Sequence, residues 1–382
     1  MDLQGSLEHE WPYLLSFLPS EKQLEQTAKS WGAIQRIRAV DKASTLLRLA
    51  LVYGFCGYSL RQTAAWAEAA KVASLSDVAL LKRFRKASEW LGYLLANKLA
   101  ERSATQVPHQ ARLRLIDATT IRAPGSTGTD WRLHLGFDLG AWAISDIQLT
   151  QADEGESLGR YAFESGDLVV ADRGYSNRSG LRHVLEAKAH FLVRLNSTTP
   201  LQGKGDTDFD LLSAVRSLPE AQAGSFDVEI RLSPKEKAPP VPVRLVALRK
   251  SEAAAEEARK KLLQKASRNG TKVQPKTLEL AGYILVLTST RSDELSPEEV
   301  LEIYRFRWQI ELVFKRLKGL LHLDHLPAKD PELARTALFS KLLAAVLLEE
   351  LTHAYLSISP WGYCLRGEPT SLSVADPQCP AP

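Results

Sequence analysis

The chain has 382 residues, 45% hydrophobic and 25% charged, a composition that excludes a wholly disordered chain, a collagen-like fibre and a disulfide scaffold. Lys and Arg number 49 against 45 Asp and Glu, so the net charge of +4 names no partner, and the length suffices for two or three domains. Cys56, Cys364 and Cys379 stand too far apart for a paired zinc or redox motif, and their odd number points to a reducing compartment rather than a disulfide framework.

The first residues, MDLQGSLEHEWPYLL, carry acids where a signal peptide carries bases. The longest strongly apolar run, Leu342 to Leu348, is too short to cross a bilayer, so a soluble cytoplasmic protein is expected. From about Glu21 to Arg102 apolar residues recur at three- and four-residue spacing, which predicts helices and a helical N-terminal domain over residues 1–108. Ser76 and Asp77 suit the cap of one of them, and its bases Lys82, Arg83, Arg85 and Lys86 fit either a DNA phosphate backbone or plain solvation.

After Pro108 the period changes to two. RLRLID (112–117), RLHLGFDL (132–139) and AWAISDIQLT (141–150) read as strands, the last two forming a hairpin around Gly140. A short helix near Ser157 to Phe163 leads to DLVVAD (167–172), an apolar run suited to a strand buried on both faces. A helix near Asn177 to Lys188 and the strand HFLVRL follow. Three antiparallel strands, then strand, helix and strand, is the order of a ribonuclease H-like α/β sheet, here opening a core over residues 109–195.

Residues 196–290 interrupt that order with Gly, Pro and charge, and read as a β-rich basic insertion containing FDVEIRL, VPVRLVAL and LELAGYILVLTST. Residues 226–276 hold thirteen Lys and Arg against six Asp and Glu, so the basic charge is concentrated there. Its wall either lines a nucleic-acid groove, with Arg244, Arg249 and Lys250 as contacts, or is solvated surface. Ser296-Pro297-Glu298-Glu299 is a helix start, with a cap, a proline at the first position and an acid at the third. One helix is expected from there to about Gly319, and a buried one from about Pro331 to Ala354, the two making up residues 291–358. Residues 359–382 lack sustained periodicity and read as an irregular tail.

On a helical wheel at about 100° per residue, Tyr304, Arg307, Glu311, Lys315 and Lys318 share one arc of roughly 80°, beside an apolar face of Phe306, Ile310, Val313, Phe314 and Leu317. One acid among cations can be a salt-bridge cluster and no more. Asp117 and Asp172, each expected to end an apolar strand, can likewise be turn residues or caps. Taken together, two strand-end aspartates and a helical glutamate supply the clustered oxygens that a pair of magnesium ions needs for phosphoryl transfer. His322 and His325 lack a third ligand nearby in sequence and read as helix-end residues.

The spacing Tyr304-x2-Arg307-x3-Glu311-x6-Lys318 resembles the Y-x2-R-x3-E-x6-K signature of bacterial insertion-sequence transposases of the DDE type, in the IS-four group. IDATTI around Asp117 and ADRGY around Asp172 resemble the segments carrying that family's two aspartates, and the likeness spans about residues 110–350. It implies a ribonuclease H-like catalytic core with a β-rich insertion, and a cut-and-paste enzyme in the bacterial cytoplasm, nucleoid-associated when bound to DNA. Asp117, Asp172 and Glu311 would be catalytic and hold two Mg2+, with Mn2+ as a substitute. Tyr304, Arg307, Lys315, Lys318 and Arg173 would contact DNA, Arg173 being equally placed for a structural ion pair. The partners implied are the double-stranded terminal inverted repeats and target DNA, acted on by a homodimer and away from membrane. No Trp lies between Trp142 and Trp308, so base capture by a tryptophan of the insertion is not expected. Two alternatives remain open: a ribonuclease H-like nuclease without strand transfer, and a catalytically silent DNA-binding derivative.

Overall fold

The computed structural model describes residues 11–35, 39–105, 112–126, 128–196, 199–205, 207–230 and 240–356. The expected irregular tail, with Cys364 and Cys379, lies outside them. The N-terminal helices are α1 (Glu21–Ser30), α2 (Ala43–Phe55), α3 (Leu60–Ala69) and α4 (Asp77–Thr105). Ser59 starts α3 by accepting the Gln62 N–H at 3.2 Å while the Gln62 side chain accepts the Ser59 N–H at 2.9 Å, a reciprocal cap that fills two orphan donors. Ala43, Leu46, Leu47, Ala50 and Tyr53 bury one stripe of α2 against Phe84, Trp90 and Leu91 of α4.

The strands are β1 (Leu113–Ile121), β2 (Trp131–Asp138), β3 (Ala143–Gln151), β4 (Leu168–Ala171), β5 (His190–Arg194), β6 (Leu201–Gly203), β7 (Thr207–Asp208), β8 (Ala223–Ile230), β9 (Val241–Arg249) and β10 (Tyr283–Thr288). They form one ten-stranded sheet in the order β3-β2-β1-β4-β5-β10-β9-β8-β6-β7. The first three are antiparallel, β4 and β5 run parallel to β1, and β10 returns antiparallel to β5. Residues 196–290 therefore extend the sheet rather than stand apart from it. The short helices α5 (Arg178–Glu186), α6 (Leu211–Arg216) and α8 (Pro275–Leu280) and the charged α7 (Glu252–Arg268) connect these strands.

The strand period is visible in the core. Leu115, Val170 and Leu192 enter one hydrophobic cluster, while Ile116, Val169, Ala171, Phe191 and Val193 enter the cluster on the opposite face. The first cluster is closed by α10 (Trp308–Leu321) and α11 (Pro331–Leu356). α11 is two-faced: Ala334, Leu338, Leu342 and Val346 meet the sheet cluster, and Leu333, Ala337, Leu343 and Leu347 meet the N-terminal helices. Buried Glu349 fixes its end by accepting the Ile144 N–H of β3 at 3.1 Å.

The helix expected over 296–319 is two helices, α9 (Pro297–Arg305) and α10. Between them the N–H groups of Phe306, Arg307 and Gln309 bond carbonyls three residues back, at 3.0, 3.1 and 2.9 Å, so the chain tightens for one turn. The bend lets α9 pack on β5, β8, β9 and β10 while α10 packs on β1. Tyr304 thus lies in the last turn of α9, and the single arc drawn through it and Lys318 is broken between them. His322 closes α10 in the left-handed conformation, φ 46°, and its carbonyl and that of His325 accept the Lys341 ammonium, the latter at 2.8 Å. Among the described residues no helix is long and apolar enough to cross a membrane.

Candidate functional site

Asp117 does not end its strand, because β1 continues to Ile121 along β2, where Asp117 faces Leu135. What ends there is the parallel ladder to β4. Its last pair is Ile116 with Ala171, so Asp117, still within β1, and Asp172, the first residue after β4, follow at the next position. At that edge the sheet opens, and both side chains are only partly buried. Asp117 accepts the Ala118 N–H at 2.8 Å through Oδ1. Burial pushes its carboxyl up to about 6; Asp172 and Glu156 add repulsion, while the Ala118 N–H and the Arg307 charge oppose the shift. Neither aspartate has an ion pair among the described residues.

α10 carries Glu311 past this edge. Lys318 donates to Thr119 Oγ1 at 2.8 Å, two residues beyond Asp117, which fixes the helix against β1. Ile310, Val313 and Leu317 hold the opposite face in the core. Glu311, however, is turned to Arg307, whose Nη2 donates to its Oε1 at 2.6 Å. Burial works against the Arg307 charge, but Tyr304, Glu311 and Asp172 together raise its pKa above the ordinary value. Among the described residues no three Asp, Glu, His or Cys side chains stand close enough to hold a metal ion. The structure brings Asp117, Asp172 and Arg307 into one electrostatic neighbourhood and holds Glu311 at its rim.

The remaining candidates are arranged around them. The Tyr304 hydroxyl is buried with no hydrogen-bond partner, near Arg307, Asp172, Arg194 and Arg173, and burial raises its pKa. Lys315 is exposed on the outer side of α10. Arg173 makes no ion pair among the described residues; instead it lines a cavity of about 350 Å3 with Arg194, Lys250, Lys261 and Lys265. Leu195, Leu262 and Leu285 form apolar wall, and no acid borders the cavity.

The cations expected to line a groove divide in a different way. Arg244 is buried, 4% exposed, and donates to the Leu295 carbonyl at 2.7 Å and to Thr290 Oγ1 at 3.3 Å. Arg249 and Lys250 bond the carbonyls of Leu218 and Ala281 at 3.3 and 2.7 Å. These three hold the sheet together, and the solvent-facing charge comes from α7. Charge counting found the basic segment but not which of its side chains face outward. In the N-terminal block Arg85 pairs with Asp330 at 2.7 Å and Lys86 with Gln35 at 2.7 Å. Sequence reasoning also passed over Glu156 and Arg194, which lie in no motif; their place beside Asp172 and Arg173 depends on the fold.

Residues 108–347 match the family described as the transposase DDE domain. InsL of insertion sequence element IS186A from Escherichia coli strain K12 is 42% identical over 355 residues, 92% of this chain and 96% of that protein. The transposase for insertion sequence element IS421 of Escherichia coli is 42% identical over 356 residues, with the same coverage of 92% and 96%. Among solved structures, the piggyBac transposase synaptic complex with hairpin DNA aligns with 91% of this chain and 75% of that one, at 10% identity and a TM-score of 0.40.

Proposed function

We propose, for a chain that belongs to the family of DDE-domain transposases, that Asp117, Asp172 and Glu311 are the three acids of its active site. The protein is an insertion-sequence transposase, an enzyme that cleaves DNA and transfers the cut strand. The observation that carries the site assignment is the register of β1 and β4, which sets Asp117 and Asp172 side by side where their shared ladder stops. The three parallel-linked strands, the antiparallel β2 and β3 and the covering α10 and α11 support a ribonuclease H-like core.

The donor chemistry fits a divalent cation, with two magnesium ions as the proposed complement. Both aspartates offer hard oxygen ligands without a competing cation at ion-pair distance, and Glu311 joins them once it leaves Arg307. A bound divalent ion supplies the charge stabilisation that phosphoryl transfer requires. The chain's own residues position the DNA. Arg307 offers a planar fork for one phosphate, Lys318 and Lys315 offer point charges, and the Tyr304 hydroxyl has an unused donor. Arg173 and the cations around its cavity extend this surface away from the acids. Water attacks the phosphodiester at the element end, leaving a 5′-phosphate and a free 3′-hydroxyl; where that hydroxyl is joined to the second strand a further water frees it again, and it then attacks a target phosphodiester and displaces a target 3′-hydroxyl. Double-stranded element ends and target are the substrates, and joining two ends calls for a homodimer.

The test is a reaction on supercoiled DNA carrying the element's own inverted ends, with magnesium. Excised element and end-to-target joints are expected. Cuts without joints would indicate a nuclease, and DNA binding without cuts a catalytically silent derivative.

A further inference from the structure

One carboxylate at the site belongs to no motif. Glu156 follows β3 and is fixed by its neighbours: Ser157 Oγ accepts the Gly159 N–H at 3.2 Å, and the Glu156 carbonyl accepts Asn177 Nδ2 at 3.2 Å. Its carboxylate lies over Gly174 of the ADRGY segment. A Cβ built on Gly174 would stand 2.0 Å from Glu156 Oε2 and 3.2 Å from its Cδ. Gly174 has no left-handed φ, so the backbone does not call for glycine there; the space beside Asp172 does. Burial raises the Glu156 pKa, Arg132 nearby opposes it, and Asp172 lies close enough to repel Glu156, which in turn repels Asp117. Glu156 is half-buried and, among the described residues, has neither an ion pair nor a side-chain hydrogen bond.

We propose that Glu156 is a carboxylate ligand of the divalent cation held by Asp117 and Asp172, seated there by the room that Gly174 leaves. This rests on the reading of the two aspartates as metal ligands. Three half-buried carboxylates with no ion pair among the described residues repel one another, and a cation with several oxygen ligands turns that repulsion into coordination. Glu311 is occupied by Arg307, so Glu156 is the free third acid while no DNA is bound. Its flexible side chain closes on the ion, since the groups do not stand at coordination distance beforehand.

The test uses the full chain without DNA, Mn2+ as the probe, binding followed by electron paramagnetic resonance, and unfolding midpoints with and without Mn2+. Glu156→Gln is expected to weaken Mn2+ binding about tenfold or more, while its metal-free midpoint stays at or above that of the unmodified protein. Gly174→Ala, which displaces only the far end of the Glu156 side chain, is expected to weaken binding to a similar degree. Unchanged Mn2+ affinity in Glu156→Gln, with binding lost in Asp172→Asn, overturns the assignment of Glu156 and leaves the aspartates standing. Unchanged affinity in Asp172→Asn overturns the reading beneath it. Should Glu156→Gln unfold early, Gly174→Ala decides, and unmodified affinity there also overturns the proposal.

Discussion

The Arg307–Glu311 pair sets the state of the site at the level of single residues. At 2.6 Å it neutralises the one acid that the helix brings, with the Arg307 side chain 19% exposed and that of Glu311 57% exposed. Arg307 is largely covered but the Glu311 end faces solvent, so the pair is worth of the order of 1 kcal/mol or less, and a phosphate that takes Arg307 releases Glu311 at modest cost. In the proposed site, substrate binding and assembly of the acids are thereby linked. Lys318 has a different part. Its bond to Thr119 is exchangeable for a phosphate oxygen, and Ile310, Val313 and Leu317 keep α10 anchored in the core without it. Lys318→Ala is expected to raise Kd for end DNA roughly tenfold, or about 1.4 kcal/mol, with residual cleavage at high protein concentration. Gel-shift titration beside a cleavage assay checks this. Lost cleavage at unchanged affinity would place Lys318 in the chemical step.

Close approach and burial decide stability among the elements that carry the site. α2 crosses α11 at Gly54, where a Cβ would stand 2.7 Å from Ser340 Cβ and 2.9 Å from the Ala337 carbonyl. Gly54→Ala forces these helices apart and should cost about 1–3 kcal/mol, read as a lower midpoint in chemical denaturation. On β2, His134 is fully buried, with Nε2 bonded to Thr150 Oγ1 at 2.9 Å. Burial, with Arg160 and Arg132 nearby, pushes its pKa down to about 4 from 6.5. Between those values the unfolded chain binds a proton that the folded chain refuses, so stability falls as pH drops from 6.5 towards 4. The loss attributable to this residue is of the order of 3 kcal/mol. His134→Gln keeps a polar partner for Thr150 without the titration, so its unfolding free energy should change less over that range.

The legibility of the sequence also differs by element. β4 and β5 were plain because an uninterrupted apolar run has no other use at that length, and α9 was plain because its cap, proline and acid coincide in Ser296, Pro297 and Glu299. The break at Phe306 and Arg307 left no mark, since neither Pro nor Gly causes it; it follows from packing α9 and α10 on different strands. The local reason for picking out Asp117 fails, because the strand it sits in runs on while only its neighbour stops.

Across the whole molecule the sheet acts as a single platform. Its ten strands place the acids at the junction of β1 and β4 and the basic surface on α7, beyond β10. That separation suits a long polyanion better than a small substrate, because phosphates along one strand can engage both regions. Arg244 is spent on the fold, so the outward-facing positive charge beside this cavity is on Arg173, Lys265 and Lys261, the last paired with exposed Glu257 at 2.6 Å. Replacing Lys261 and Lys265 by Ala should lower the slope of log K against log salt by roughly 2, near 0.9 per lost phosphate contact. An unaltered slope in binding titrations would make this cavity solvated surface. Net charge gave no hint of such a division, because +4 over 382 residues averages it away.

Whether Glu311 completes a metal-holding set with Asp117 and Asp172, as proposed, is decided by cleavage of end DNA by Glu311→Gln measured alongside its affinity for that DNA. The substitution keeps the volume and removes the anionic oxygen. Cleavage is predicted to fall at least roughly a hundredfold while affinity stays within a few-fold of the unmodified protein. Normal cutting by Glu311→Gln would contradict the claim and move the third acid elsewhere.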